Sequence, residues 1–242
     1  MIKVIVNADD FGYSRGTNFG IIDAHRYGVV NSATMMMNMT AVDHAFELAS
    51  ENKELAVGIH LVLTAGTPLL QTGVSSLIQE NGKFKTQSML MNQFDMDPGE
   101  VEKEWEAQIH KFLSYGVKPN HMDSHHHVHT LPELEQVVRR LSKKYNLPVR
   151  VCNIEDVEMY SDIGLFDFYD SGVTENYFDE LPNKVMDGQT VEIMCHPAYI
   201  DTILQSGTSY CSQRLKELDI LMKAKLPEQC ELIQFEYLKI NQ

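Results

Sequence analysis

Between His121 and His129 the chain reads HMDSHHHVH, which puts five of its ten histidines within nine residues. Imidazoles and a carboxylate this close together are ligands for a divalent cation. If the stretch runs extended, alternate side chains share a face. His121, Asp123, His125, His127 and His129 then lie on one face, with Met122, Ser124, His126 and Val128 on the other. Apolar residues precede the stretch (Phe112, Leu113, Val117) and an amphipathic pattern follows it (Leu131, Leu134, Val137, Val138, Leu141). A terminal tag or a solvated metal-binding tract would lack such flanks, so the cluster belongs inside the fold.

Five other positions could join this chemistry. Asp9 and Asp10, in NADDFG, follow the apolar run IKVIV. Adjacent carboxylates repel, which raises one pKa unless a cation neutralises them. A cation in the pocket would tie the pair to the histidines; helix capping is the alternative reading. His60 interrupts the apolar run LAVGIHLVL. Such a histidine is often a hydrogen-bonded core residue, but its place near a strand end puts it with the others. His196, in CHPAY, stands before a proline that stops a strand. Arg150, in LPVRVC, is a charge in an apolar segment and needs a partner. A structural ion pair and the orientation of an active-site carboxylate are both open for it.

The elements that must position these residues follow from periodicity. Short β-branched runs predict strands at residues 2–6, 29–37, 55–63, 147–152, 190–195 and 231–235, with the histidine stretch as a further strand. Amphipathic spacing predicts helices at 17–27, 41–50, 98–115, 132–145, 175–186 and 212–224. The methionines of MMMNM read as core filling. Two irregular regions remain. Residues 64–99 follow the His60 strand and are expected to hang over the site as a substrate-facing loop. Residues 153–173 carry Tyr160, Phe166, Phe168 and Tyr169, which suit stacking on flat apolar faces or packing the loop down. Alternating β and α elements give a parallel sheet. The candidate residues all fall at strand ends, and a barrel gathers such ends around one mouth. The expected architecture is therefore α/β: an irregular (β/α) barrel of about seven parallel strands in a single domain spanning residues 1–242.

Composition narrows the partners. The formal net charge is −14, from 34 acids and 20 bases. That repels a nucleic-acid backbone and an anionic membrane surface. With 43% hydrophobic residues the chain can bury a sizeable core, and no apolar run approaches a membrane span. The N-terminus opens on an apolar strand without a basic leader. Cys152, Cys195, Cys211 and Cys230 are widely spaced and read as buried thiols of a reducing compartment. A cytoplasmic location is expected.

Taken together and in order, NADDFG, GIHLVLT, HMDSHHHVH and MCHPAYID resemble the motifs of the YdjC-like carbohydrate deacetylases. The resemblance implies an irregular seven-stranded barrel related to the NodB-type polysaccharide deacetylases, one divalent metal ion (magnesium) and a homodimer. It implies removal of acetyl groups from N-acetylated sugars, such as a chitooligosaccharide or its 6-phosphate. By the same resemblance Asp10, His60 and His125 correspond to the metal ligands, Asp9 to the catalytic base and His196 to the general acid. The shared-face pattern does not separate His125 from His127, and it offers His121 and Asp123 as groups that orient ligands. NodB-type enzymes take two histidines from H-x-x-x-H, a spacing that His121 and His125 also have. Imidazole donors suit zinc, manganese or cobalt better than magnesium. Two rival classes are a phosphoesterase holding two or three metals and a metal-storage protein. The second leaves Asp9, His196 and the long loop without a role. Arg15 and Arg150 are possible anion contacts.

Overall fold

The computed structural model describes residues 1–235. In chain order its elements are β1 (Ile2–Phe11), α1 (Arg15–Tyr27), β2 (Ser32–Met35), α2 (Val42–Glu51), β3 (Ala56–Leu61), α3 (Gln87–Asn92), α4 (Pro98–Leu113), β4 (Met122–Ser124), α5 (Glu135–Tyr145), β5 (Ile163–Leu165), α6 (Leu181–Lys184), β6 (Thr190–Cys195), α7 (Thr202–Gly207), α8 (Ser212–Lys223) and β7 (Cys230–Leu232). All strand pairs are parallel. The sheet runs β4-β3-β2-β1-β6-β5, with β7 added to β1. Its two ends approach through single bridges, Met122 to Val149 and Val149 to Met159. The result is a sheet curled into an incomplete barrel, with helices outside.

β1 takes the centre because Val4, Ile5, Val6 and Ala8 are apolar on both faces and at most 1% exposed. Its partners on either side are β2 and β6. α1 begins at Ser14, whose Oγ accepts from Thr17 N–H (3.1 Å). Gly20 lets α1 lie against the segment after His196: a Cβ there would sit 2.5 Å from Ala198 Cα. One apolar core joins β1 and β2 to Trp105 and Phe112 of α4, Leu141 of α5 and Leu218 and Leu221 of α8. Met35, Met36 and Met37 are fully buried within it. Among the described residues, no helix is long and apolar enough to cross a membrane.

Several expected elements differ. The histidine stretch is a strand only over Met122–Ser124; His125–Thr130 is a tight turn in which His126 (φ 56°) and His127 (φ 55°) are left-handed. The shared face for His121, Asp123, His125, His127 and His129 therefore ends at Ser124. Residues 147–152 contribute only the bridge at Val149, and β5 forms instead at Ile163–Leu165, inside the segment expected to be irregular. The helix expected over 175–186 reduces to a 3₁₀ turn (Phe178–Glu180) and the single turn of α6. Pro182 has no N–H to donate, so it starts a helix rather than continuing one. The short α7, capped by Asp201 on Leu204 N–H (2.9 Å), was not expected. Residues 64–99 are packed rather than structureless. They bury Val74, Leu77, Phe84 and Leu90, and Glu104 of α4 accepts from the amides of Leu69 and Leu70.

Candidate metal centre

The acidic pair stands on a bulge. β1 runs past residue 6 to Phe11, and its register against β2 shifts between Ala8 and Phe11. In a regular strand Asp9 and Asp10 would point to opposite faces. Asp10 instead adopts φ 69°, a left-handed conformation that aspartate tolerates. The bulge re-aims it, and both carboxylates line one cavity of about 380 Å³. Asn18 of α1 pins the turn by accepting from Gly12 N–H (2.7 Å).

Two histidines converge on Asp10. His125 Nδ1 lies 3.0 Å and His60 Nε2 3.5 Å from Asp10 Oδ1. His60 donates Nδ1–H to Asp123 Oδ1 (2.6 Å), which leaves Nε2 as the nitrogen facing Asp10. Thr34 Oγ1 donates to the other oxygen of Asp123 (3.0 Å). Burial pushes the His60 pKa down, but the carboxylates of Asp123, Asp9 and Asp10 outweigh it and raise it to about 9. Asp10 Oδ1 is fully buried and accepts no well-formed hydrogen bond. An orphaned carboxylate oxygen beside two imidazole nitrogens fits a divalent cation.

Asp9 is held differently. Arg150 grips it with both arms, Nη1 to Oδ2 (2.7 Å) and Nη2 to Oδ1 (2.6 Å), and Asn7 Nδ2 adds a third bond (2.9 Å). The same guanidinium reaches Asp123 (2.8 Å) and Glu192 of β6 (2.9 Å from Nε). Burial raises the Asp9 pKa, yet the Arg150 charge and hydrogen bonds win and hold it far below the carboxylate range. Two other donor groups, Asp9–His60–Asp123 and His121–Asp123–Glu192, are also compact enough for an ion. Arg150 pairs with two carboxylates in each and already supplies their positive charge. Asp10–His60–His125 has no such competitor at Oδ1, and it is the group that opens on the cavity.

The family model described as YdjC-like protein matches residues 3–232. The chain belongs to the YdjC-like family. It is 48% identical over 239 residues to a carbohydrate deacetylase of Halalkalibacterium halodurans, covering 96% of this chain and 100% of that one. It is 48% identical over 219 residues to a carbohydrate deacetylase of Geobacillus stearothermophilus, covering 90% and 88%. A crystal structure from Enterococcus faecalis, of a protein named for cellobiose-phosphate cleavage, superposes with TM-score 0.86 at 38% identity over 91% and 90% of the two chains. A CE4 esterase of Streptococcus mutans (TM-score 0.54, 12% identity, 92% and 79% covered) shares the fold.

In this YdjC-like chain, Asp9, Asp10, His60, His125, His127 and His196 all line the cavity. His121, Asp123 and Arg150 lie buried beneath it. His121 touches neither Asp10 nor His60: it stacks on Tyr160 (3.7 Å) and bonds to Asn120 Oδ1 (2.8 Å). The H-x-x-x-H pairing of His121 with His125 is thus not formed, because the chain turns at His125. The same turn carries His127 away from Asp10, onto Phe166 (5.0 Å between rings). His129 bonds to Ser124 Oγ (2.6 Å). Arg15 stands outside the cavity, 5.7 Å from the Phe19 ring.

The wall formed by α8 escaped the sequence reading. Arg214 donates Nη2–H to Asp10 Oδ2 (2.7 Å) and Nε–H to the Tyr210 carbonyl (2.8 Å). Glu217, one turn on, accepts from His196 N–H and from the Tyr210 hydroxyl. Burial raises the Glu217 pKa to about 7. Burial and the Arg214 charge lower that of His196 to about 4, so its ring is neutral near pH 7. One signal was available: Arg214 and Glu217 share a helix face with Leu218 and Leu221, and charges in an apolar stripe need partners. Phe166, Tyr169 and Tyr210 complete the mouth.

Proposed function

We propose that this chain is a metal-dependent hydrolase that removes acetyl groups from N-acetylated sugars. The observation that carries the reading is the orphaned Oδ1 of Asp10 beside His60 and His125, at the floor of an aromatic-rimmed cavity. The carbohydrate deacetylases at 48% identity support the reaction class. Asp10, His60 and His125 would hold one divalent ion; zinc, manganese or cobalt suit these donors, and magnesium is the ion that the family resemblance implies. Bound there, such an ion supplies a Lewis acid for the amide carbonyl and lowers the pKa of water.

The chain's own groups do the rest. Asp9 stays ionised because Arg150 holds it, and it is aimed into the cavity, so it takes the proton of the attacking water. Its weak basicity costs driving force, which the fixed geometry offsets. His196 is neutral at rest. The proton that Asp9 takes from the water passes on to His196, which delivers it to the departing nitrogen as the C–N bond breaks. Glu217 fixes the His196 backbone, and Phe166, Tyr169 and Tyr210 offer faces for sugar rings. Gln87 brings the 64–99 region to the cavity edge, where that region acts as a substrate-facing loop. A cytoplasmic homodimer is the assembly that goes with this reading.

Acetate release from diacetylchitobiose and from its 6-phosphate, by metal-loaded protein and a His125→Ala control, tests this function. Release that His125→Ala abolishes is the expected result, and the preferred substrate reports whether a phosphate is read. Metal binding without acetate from either substrate would overturn the deacetylase reading and favour phosphoester hydrolysis.

A further inference from the structure

Asp10 has two oxygens, and they are treated unequally. Oδ2 is taken by Arg214 at 2.7 Å, while Oδ1 faces His60 and His125 without a hydrogen-bond donor of good geometry. A carboxylate left free beside an ion can swing to ligate through both oxygens, which occupies an extra coordination position. With Oδ2 claimed by a guanidinium, only Oδ1 remains. The chain then offers three donor atoms, and the other positions stay open for water and substrate.

We infer that Arg214 is a positioning residue that holds Asp10 to one-point ligation. The inference rests on the metal-binding reading above. Arg214 is well placed for the task. It is 3% exposed, its Nε is fixed on the Tyr210 carbonyl, and its helix is anchored by Leu218 and Leu221 in the core. It reaches Asp10 from α8, whereas Asp9 is held by Arg150 and Asn7. The residues one turn apart on α8 serve both arms of the site: Arg214 sets Asp10, and Glu217 sets the His196 backbone.

Cobalt(II) reports this geometry directly, because its visible absorption depends on coordination number. Wild type, Arg214→Gln and Arg214→Lys would be titrated with cobalt(II), with thermal melts as a folding control and kcat and KM for acetate release measured alongside. Wild type is expected to bind one ion. Arg214→Gln should also bind one ion, with its absorption band shifted and weakened as Asp10 ligates through both oxygens. Its kcat should fall about 10- to 100-fold, the usual cost of losing a group that orients a ligand, with KM little changed. Arg214→Lys keeps a cation on Oδ2 and should restore the wild-type spectrum. A wild-type spectrum and kcat in Arg214→Gln would overturn the inference while leaving the metal reading intact. Failure of wild type to bind cobalt(II) would overturn both. If Arg214→Gln does not fold, Arg214→Met takes its place: a shifted spectrum supports the inference and a wild-type one overturns it.

Discussion

Asp9 and Asp10 are neighbours in the chain but belong to different parts of the molecule. Asp9 lines the cavity but is held from the sheet side, where Arg150 and Asn7 donate to its oxygens. Asp10 faces α8 and the turn after β4, where one oxygen is satisfied by Arg214 and the other is not. Each of the tandem carboxylates has its own arginine, Arg150 on Asp9 and Arg214 on Asp10, which relieves their repulsion. What points to an ion is the imbalance. A buried carboxylate with every lone pair used is being held in place, whereas one with an unused oxygen among imidazoles lacks a ligand.

Substitution of the two acids should separate these environments most strongly. Asp10→Asn removes a charged donor and is expected to abolish tight metal binding and cut acetate release by about a thousandfold or more. Asp9→Asn should lose turnover to a similar degree yet still bind one ion, measured by calorimetric titration. Loss of the ion in both would mean the two networks are one.

A smaller effect is expected from Arg150→Met. Three buried carboxylates lose their common guanidinium, and breaking such a pairing costs about 3–5 kcal/mol. For a chain of this size that lowers the melting temperature by about 10 °C. Removing Arg214 touches one carboxylate and should cost less. A melt of Arg150→Met unchanged from wild type would deny the sheet network its structural role.

The smallest effect concerns Glu192, which holds Arg150 from β6. Burial raises its pKa from 4.5 to about 7, against the opposing Arg150 charge. The folded chain thus keeps this proton more tightly than the unfolded chain does. The associated stability is complete below pH 4.5 and is lost as pH rises through about 7. Gln cannot ionise and still accepts from Arg150 Nε. Glu192→Gln should therefore melt progressively higher than wild type between pH 5 and pH 8, by a few degrees. A difference that stays constant between pH 5 and pH 8 would show that Glu192 is ionised throughout.

Much of this was legible in the sequence. The apolar run of β1 and the isolated His60 within β3 located strands and their polar ends, because a doubly covered strand must be apolar elsewhere. The histidine cluster located the mouth. Its geometry was not legible, since an alternating pattern assumes extended backbone and the chain becomes left-handed at His126 and His127. Nor was the α6 region: amphipathic spacing suggested a long helix that Pro182 cuts short.

The sequence by itself determined the parallel α/β architecture, the strand ends that carry Asp9, Asp10, His60 and His196, and the acidic surface that disfavours polyanions. These follow from periodicity and charge, which are local or additive properties. Only the tertiary structure decided that Asp10 turns toward His125 and away from His127, and that Arg150 and Arg214 divide the two acids between them. It also decided that Glu217 stands behind His196. These pairings join residues 141, 204 and 21 positions apart, and no local pattern encodes which buried charge will meet which. Packing decides that, because a charge taken out of water must find its partner wherever the fold brings one.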